Sequence, residues 1–120
     1  MSITSASTLA TLHRSGPRRI TDLAAIEGVT QPAMTALVRV MEGSGLVERR
    51  GDASDKRVTL VCLTEAGASY VQARRRAGVD AFARLIDELA DDEVEALVAA
   101  LPALAHLAEL ESRDREGPKR

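Results

Sequence analysis

The sequence predicts a mainly α-helical protein with a small β-hairpin: a helix-turn-helix, a two-stranded wing, then two long helices. Three observations predict it. Two short apolar-periodic stretches meet at a tight turn around Gly28, two β-rich runs flank a charged stretch from Arg50 to Arg57, and the second half repeats Leu, Val and Ala at helical spacing. Composition points the same way. Apolar residues make up 45% but aromatic residues only 2%, with Tyr70 and Phe82 the sole pair, so the core is aliphatic and favours close-packed helices. At 120 residues the chain predicts one domain, with a winged unit over 5–63, a long-helix region over 64–111 and a flexible tail over 112–120.

Residues 5–12 read as a first helix, which ends near Ser15, Gly16 and Pro17. A second helix begins at Thr21 and Asp22, turns Ile20, Leu23 and Ala24 inward and stops at Gly28. The third starts at Thr30, whose hydroxyl can cap the orphan amides of the first turn, and Pro32 falls where a missing N–H costs nothing. Met34, Leu37, Val38 and Met41 then recur at i, i+3, i+4 and i+7 as one buried stripe, and Gly43 and Gly45 end the helix. The opposite face carries Gln31, Thr35 and Arg39, which can reach bases or phosphates. Residues 46–49 and 58–63 are strand-like and form a wing near 46–63. Its charged tip reads either as a solvated turn or as a wing whose arginine enters the minor groove, where the negative potential is strongest.

Thr64 and Glu65 can cap a long helix running to about Leu89, weakened by about 1 kcal/mol at each of Gly67 and Gly78. Val79, Phe82, Ile86 and Leu89 make a heptad-like seam. Asp91, Asp92 and Glu93 open the last helix with acids suited to its positive end, and Val94, Leu97, Val98, Leu101, Leu104, Ala105 and Ala108 continue the stripe. Leu107 and Leu110 widen it. Pro102 is expected to interrupt and kink this helix at a cost of about 3 kcal/mol, and the charged tail past Glu111 is expected to fray. These two helices carry more apolar surface than one small winged unit covers. They either fold back on their own domain or meet a second copy, the commoner solution for DNA readers.

Charge and composition exclude several classes. The net charge is −2, yet residues 14–57 hold eight Lys or Arg against six Asp or Glu, a modest local excess that suits phosphate on one face only. Scarce aromatics argue against base stacking on single strands. No apolar run approaches the roughly 18–20 residues of a membrane span and no leader precedes a cleavage site, so a cytoplasmic location without membrane contact is expected. Cys62 has no partner for a disulfide and reads as a buried structural thiol. His13, Cys62 and His106 lack the paired spacing of a metal site, and no cofactor is expected. No nucleophile with a nearby base and no phosphate-binding glycine loop is present, so the chain does not read as an enzyme.

The stretches Gly16-Pro17-Arg18-Arg19-Ile20-Thr21-Asp22-Leu23-Ala24, Gly28-Val29-Thr30-Gln31-Pro32-Ala33-Met34-Thr35, Leu46-Val47-Glu48-Arg49, Asp55-Lys56-Arg57 and Leu63-Thr64-Glu65-Ala66-Gly67 together resemble the MarR family of bacterial transcriptional regulators. The likeness covers about residues 5–110, and the wing motif followed by Leu-Thr-Glu-x-Gly makes it specific. It implies a homodimer on a palindromic double-stranded operator, with helices in successive major grooves and wings in flanking minor grooves. By position, Thr30, Gln31, Pro32, Thr35 and Arg39 would make major-groove and phosphate contacts, Arg57 would enter the minor groove, Asp55 would steady it and Lys56 would meet phosphate. Those side chains suit the roles: Gln pairs with adenine edges, Arg with guanine or phosphate, and Thr or Pro touches a thymine methyl.

Family members usually carry one more helix before the position of Ser5, which interlocks with the partner's last helix. The chain is expected either to belong to a longer natural protein or to dimerise through its last two helices alone. The resemblance also implies a small phenolic or lipophilic effector, in a pocket here more open than usual. The leading expectation is thus a dimeric, sequence-specific DNA-binding regulator, a repressor relieved by that effector. The alternative is a winged-helix protein-interaction module without autonomous DNA binding, which the modest local charge motivates.

Overall fold

The computed structural model describes residues 1–116, ordered as α1 (Ile3–Ser15), α2 (Ile20–Glu27), α3 (Gln31–Gly43), β1 (Val47–Gly51), β2 (Thr59–Leu63), α4 (Glu65–Ile86) and α5 (Asp91–Glu116). They divide into two compact units, with the division between Ala77 and Gly78 inside α4.

In the first unit, α1 extends beyond the expected 5–12 at both ends. The Ser2 hydroxyl caps its start by accepting from the Ser5 amide at 3.1 Å, and at its end the Ser15 hydroxyl donates to the Thr11 carbonyl without leaving helical geometry. The expected start at Thr21 is corrected by one residue: α2 starts at Ile20, and Arg19 precedes it with no side-chain cap. Gly28 ends α2 in the left-handed conformation at φ 66°, where its amide and that of Val29 satisfy carbonyls of the last turn. Three residues later α3 begins, as the turn signal predicted. Thr30 is its cap, accepting from the Ala33 amide at 3.3 Å, and Met34, Val38 and Met41 are fully buried. They join Leu9, Leu12, Leu23 and Ala24 with Val47, Val61 and Val71 in one aliphatic core, against which Leu37 and Ile20 pack.

The first strand of the hairpin starts one residue and ends two residues later than predicted, whereas the second starts one residue later and ends at Leu63 as predicted; they pair antiparallel from Val47 with Leu63 to Gly51 with Thr59. A backbone bridge that sequence reasoning read as plain loop adds to it. Arg18 and Val61 exchange both amide-to-carbonyl bonds, at 3.1 and 2.7 Å, and so tie the entry to α2 onto the wing. Thr64 caps α4 through the Gly67 amide at 3.0 Å and donates its own hydroxyl to the Gly45 carbonyl at 2.6 Å. Gly67 was expected merely to weaken that helix. Instead it is required there: a Cβ would lie 2.1 Å from the Leu46 carbonyl oxygen, so only glycine lets α4 approach the turn before β1.

The second unit, from Gly78 onward, is helical and contains no buried residue among positions 78–114. Helix α4 ends at Ile86 rather than near Leu89, and a short turn leads to α5, where the Glu93 carboxylate accepts from the Ala90 amide at 3.0 Å in half of a capping box. The expected interruption at Pro102 does not occur. Helix α5 runs through it, and Val98, whose carbonyl loses its amide partner, is exposed, so solvent can satisfy that group. The residues expected to fray past Glu111 continue α5 to Glu116, and residues 117–120 of the expected tail lie outside the described residues.

Candidate nucleic-acid interface

The stripe that anchors α3 decides what its other face does. With Met34, Val38 and Met41 committed to the core, Gln31, Thr35 and Arg39 fall at i, i+4 and i+8 and line one flank of that buried stripe. Gln31, Pro32 and Arg39 are exposed and Thr35 is half-buried. Each polar group differs in what it has free. The Thr30 hydroxyl accepts from the Ala33 amide and keeps its proton for an outside acceptor. The Thr35 hydroxyl donates to the Gln31 carbonyl at 2.9 Å, which leaves it an acceptor. Arg39 makes no ion pair among the described residues.

The wing carries the second group. Arg57 has 91% of its side chain exposed, and Lys56 beside it is exposed too. Asp55 binds Arg57 twice through the same oxygen: the Arg57 amide donates at 3.0 Å and the guanidinium Nε at 3.3 Å. The arginine is thus aimed from its base while its terminal nitrogens stay open. An exposed pair of this kind adds little stability, so its consequence is orientation. Two further wing cations are differently placed. Arg50 pairs with Glu48 on its own strand, and Arg49 Nε lies 3.5 Å from Glu42 at the end of α3.

Residues 30–39 form one continuous helical set and residues 55–57 one turn, both within the first unit, and no hydrogen bond or ion pair joins the two sets among the described residues. Sequence reasoning missed a second carboxylate in the wing turn. Asp52 accepts from both the amide and the hydroxyl of Ser54, at 2.9 and 2.8 Å. Its carboxyl is held below the ordinary value of 3.8, mainly by the Ser54 amide and next by the Ser54 hydroxyl, with the positive field of Arg19 adding to them and partial desolvation opposing. The signal was present in Asp52-Ala53-Ser54, since an aspartate two residues before a serine is a turn-forming pattern. Among the described residues no group of His, Cys, Asp or Glu is placed to hold a metal ion, and no helix is long and apolar enough to cross a membrane.

A tight helical pair with a solvent-facing polar second helix, closed by a hairpin that presents cations, defines a winged helix-turn-helix protein, the architecture of major-groove readers. Known proteins narrow the class. A model of the MarR family matches residues 1–59. An uncharacterized HTH-type transcriptional regulator from Mycobacterium bovis is 31% identical over 109 residues, covering 91% of this chain and 76% of that protein. Among solved structures, RV1404 from Mycobacterium tuberculosis is similar at TM-score 0.82 and 28% identity, over 91% of this chain and 74% of that one. A point variant of MepR from Staphylococcus aureus, bound to an oligodeoxyribonucleotide, is similar at TM-score 0.70 and 27% identity, over 92% of this chain and 80% of that one. The chain belongs to the MarR family, and it is a transcriptional regulator.

Proposed function

We propose that the chain binds a palindromic double-stranded operator in the cytoplasm as a homodimer and represses transcription until a small phenolic or lipophilic effector loosens its grip. The observation that carries the reading is the division of labour on α3. Its apolar stripe is consumed by the core while Gln31, Pro32 and Arg39 remain exposed, and the same compact unit presents Lys56 and Arg57 on the wing. In this reading Thr30, Gln31, Pro32, Thr35 and Arg39 meet base edges and phosphates in the major groove. Lys56 meets phosphate, Asp55 steadies Arg57, and Arg57 enters the minor groove.

Two features support the remaining parts. Val79, Phe82 and Leu85 on α4 and Leu97, Val98, Leu101, Leu104, Leu107 and Leu110 on α5 are all exposed in the single chain, an apolar surface that a second copy would cover. For the effector, a groove of about 600 Å³ runs between the start of α1 and α3, lined by Ala33, Ala36, Leu37, Val40 and Met41. A smaller cavity of about 240 Å³ lies between α1 and the first half of α4, where Tyr70, Arg74 and Arg75 add polar groups suited to a phenolate. A ligand in the groove would press on the reading helix itself.

The test is binding to the DNA upstream of the chain's own coding sequence, measured against salt. Six to ten phosphate contacts would weaken it by roughly a thousandfold or more between 50 and 200 mM salt. Affinity that is flat with salt and no better than for random duplex would overturn the DNA-reading proposal and favour a protein-interaction module.

A further inference from the structure

We infer that Asp52 is a positioning residue for the wing: its carboxylate shapes the turn from which Arg57 is presented to DNA. The inference rests on the proposed role of Arg57 and adds a residue to it. Beyond the last paired residues, Gly51 and Thr59, the loop is closed by one backbone bond, from the Asp52 amide to the Val58 carbonyl at 2.9 Å. Within it, Ala53, Ser54, Lys56 and Arg57 are exposed, so no apolar packing fixes its path. Polar bonds do so in sequence. One Asp52 oxygen gathers the Ser54 amide and hydroxyl, which sets the chain direction into Asp55. The Asp55 carbonyl then accepts from the Val58 amide at 3.0 Å, and the Asp55 carboxylate takes the Arg57 amide. Removing the first link frees the residue that aims the arginine.

A second observation concerns the charge near the turn. Arg19, exposed at the entry to α2, adds a positive field that stabilises the ionised Asp52, and the backbone of the preceding residue, Arg18, is pinned to Val61 of β2. An exposed carboxylate with two donors on one oxygen contributes little to folding, so its effect falls on how ordered the unbound wing is.

The experiment is a double-mutant cycle between Asp52→Ala and Arg57→Ala, read as affinity for a duplex that the protein selects from a random-sequence pool, with Asp52→Asn as the conservative variant and exchange of the Ser54 amide as a direct probe of the turn. Asp52→Ala is expected to weaken specific binding roughly threefold to tenfold, the range that one net hydrogen bond spans, with Tm unchanged and Ser54 exchange accelerated. Asp52→Asn keeps an oxygen for Ser54 and retains most of the affinity. In the Arg57→Ala background, Asp52→Ala costs nothing further. If Arg57→Ala weakens binding while Asp52→Ala does not, or if the two losses multiply as independent effects, the inference is overturned and the wing reading stands. If Arg57→Ala itself leaves affinity unchanged, the wing reading falls and takes the inference with it.

Discussion

The two halves of this chain are built from the same aliphatic residues but end in opposite states. In the first unit Leu9, Leu23, Met34, Val38 and Val61 are fully buried, because three short helices and a hairpin surround them. In the second, leucines and valines at equally regular spacing stay exposed on α4 and α5, with Leu101 at 56% and Leu107 at 62%. A periodic apolar stripe therefore specifies that a helix buries one face, and says nothing of whether the covering atoms belong to the same chain. On the proposed reading the first unit is a self-sufficient reading head, whereas the second would be completed by a second copy.

The largest expected effect comes from attacking the incomplete half. Leu101→Lys with Leu104→Lys removes two leucines, each worth roughly 1.5–3 kcal/mol when buried, and a twofold axis counts every change twice. Sedimentation should then find monomers with an intact circular dichroism spectrum. A double variant that still dimerises would place the interface elsewhere.

Next comes a comparison within α4 itself, between its two glycines. Gly67→Ala gains about 1 kcal/mol of helix propensity but drives a Cβ against the Leu46 carbonyl and the Leu63 side chain, so a net loss of about 2–3 kcal/mol is expected in chemical denaturation. Gly78→Ala meets nothing within 4 Å and should gain up to about 1 kcal/mol in the same measurement. Equal responses at the two positions would mean that the reading head is less tightly closed than its packing implies.

Smaller effects belong to the interface. Arg57→Ala is expected to cost roughly 1–3 kcal/mol of specific binding in an anisotropy titration, with Tm unchanged because the side chain is 91% exposed and pairs only with Asp55 among the described residues. The smallest is an acid effect on the wing turn. The folded-state value for Asp52 lies below its ordinary 3.8, so its contribution to turn order is fully present above pH 3.8 and disappears as pH falls through the lower folded value. Ser54 amide exchange, corrected for its intrinsic pH dependence, should show that loss only below pH 3.8, and a loss nearer neutrality would contradict the assignment.

Much of the reading head was legible because each of its signals has a local cause. Thr30 announces a cap, Gly28 a left-handed turn, and Met34, Leu37, Val38 and Met41 a core-facing stripe flanked by Gln31, Thr35 and Arg39. What escaped depends on contacts distant in sequence. Nothing around Arg18 foretells pairing with Val61, and the need for glycine at position 67 arises from Leu46, twenty-one residues earlier. Pro102 misled for a different reason. Helix α5 runs through it, on an exposed surface where water can meet the carbonyl of Val98. The sequence names the proposed contact residues by position alone, while the Asp52–Ser54 turn required the hydrogen bonds to be seen.

The central claim, that two copies join through the open half so that two closed halves read one duplex, is tested most directly by sedimentation of the purified chain, alone and on the duplex it selects. Two chains in free solution and two per duplex, with the Leu101→Lys, Leu104→Lys variant reduced to one chain in solution and weakened on DNA, is the predicted result. A wild-type chain that sediments as a monomer in both conditions would contradict it.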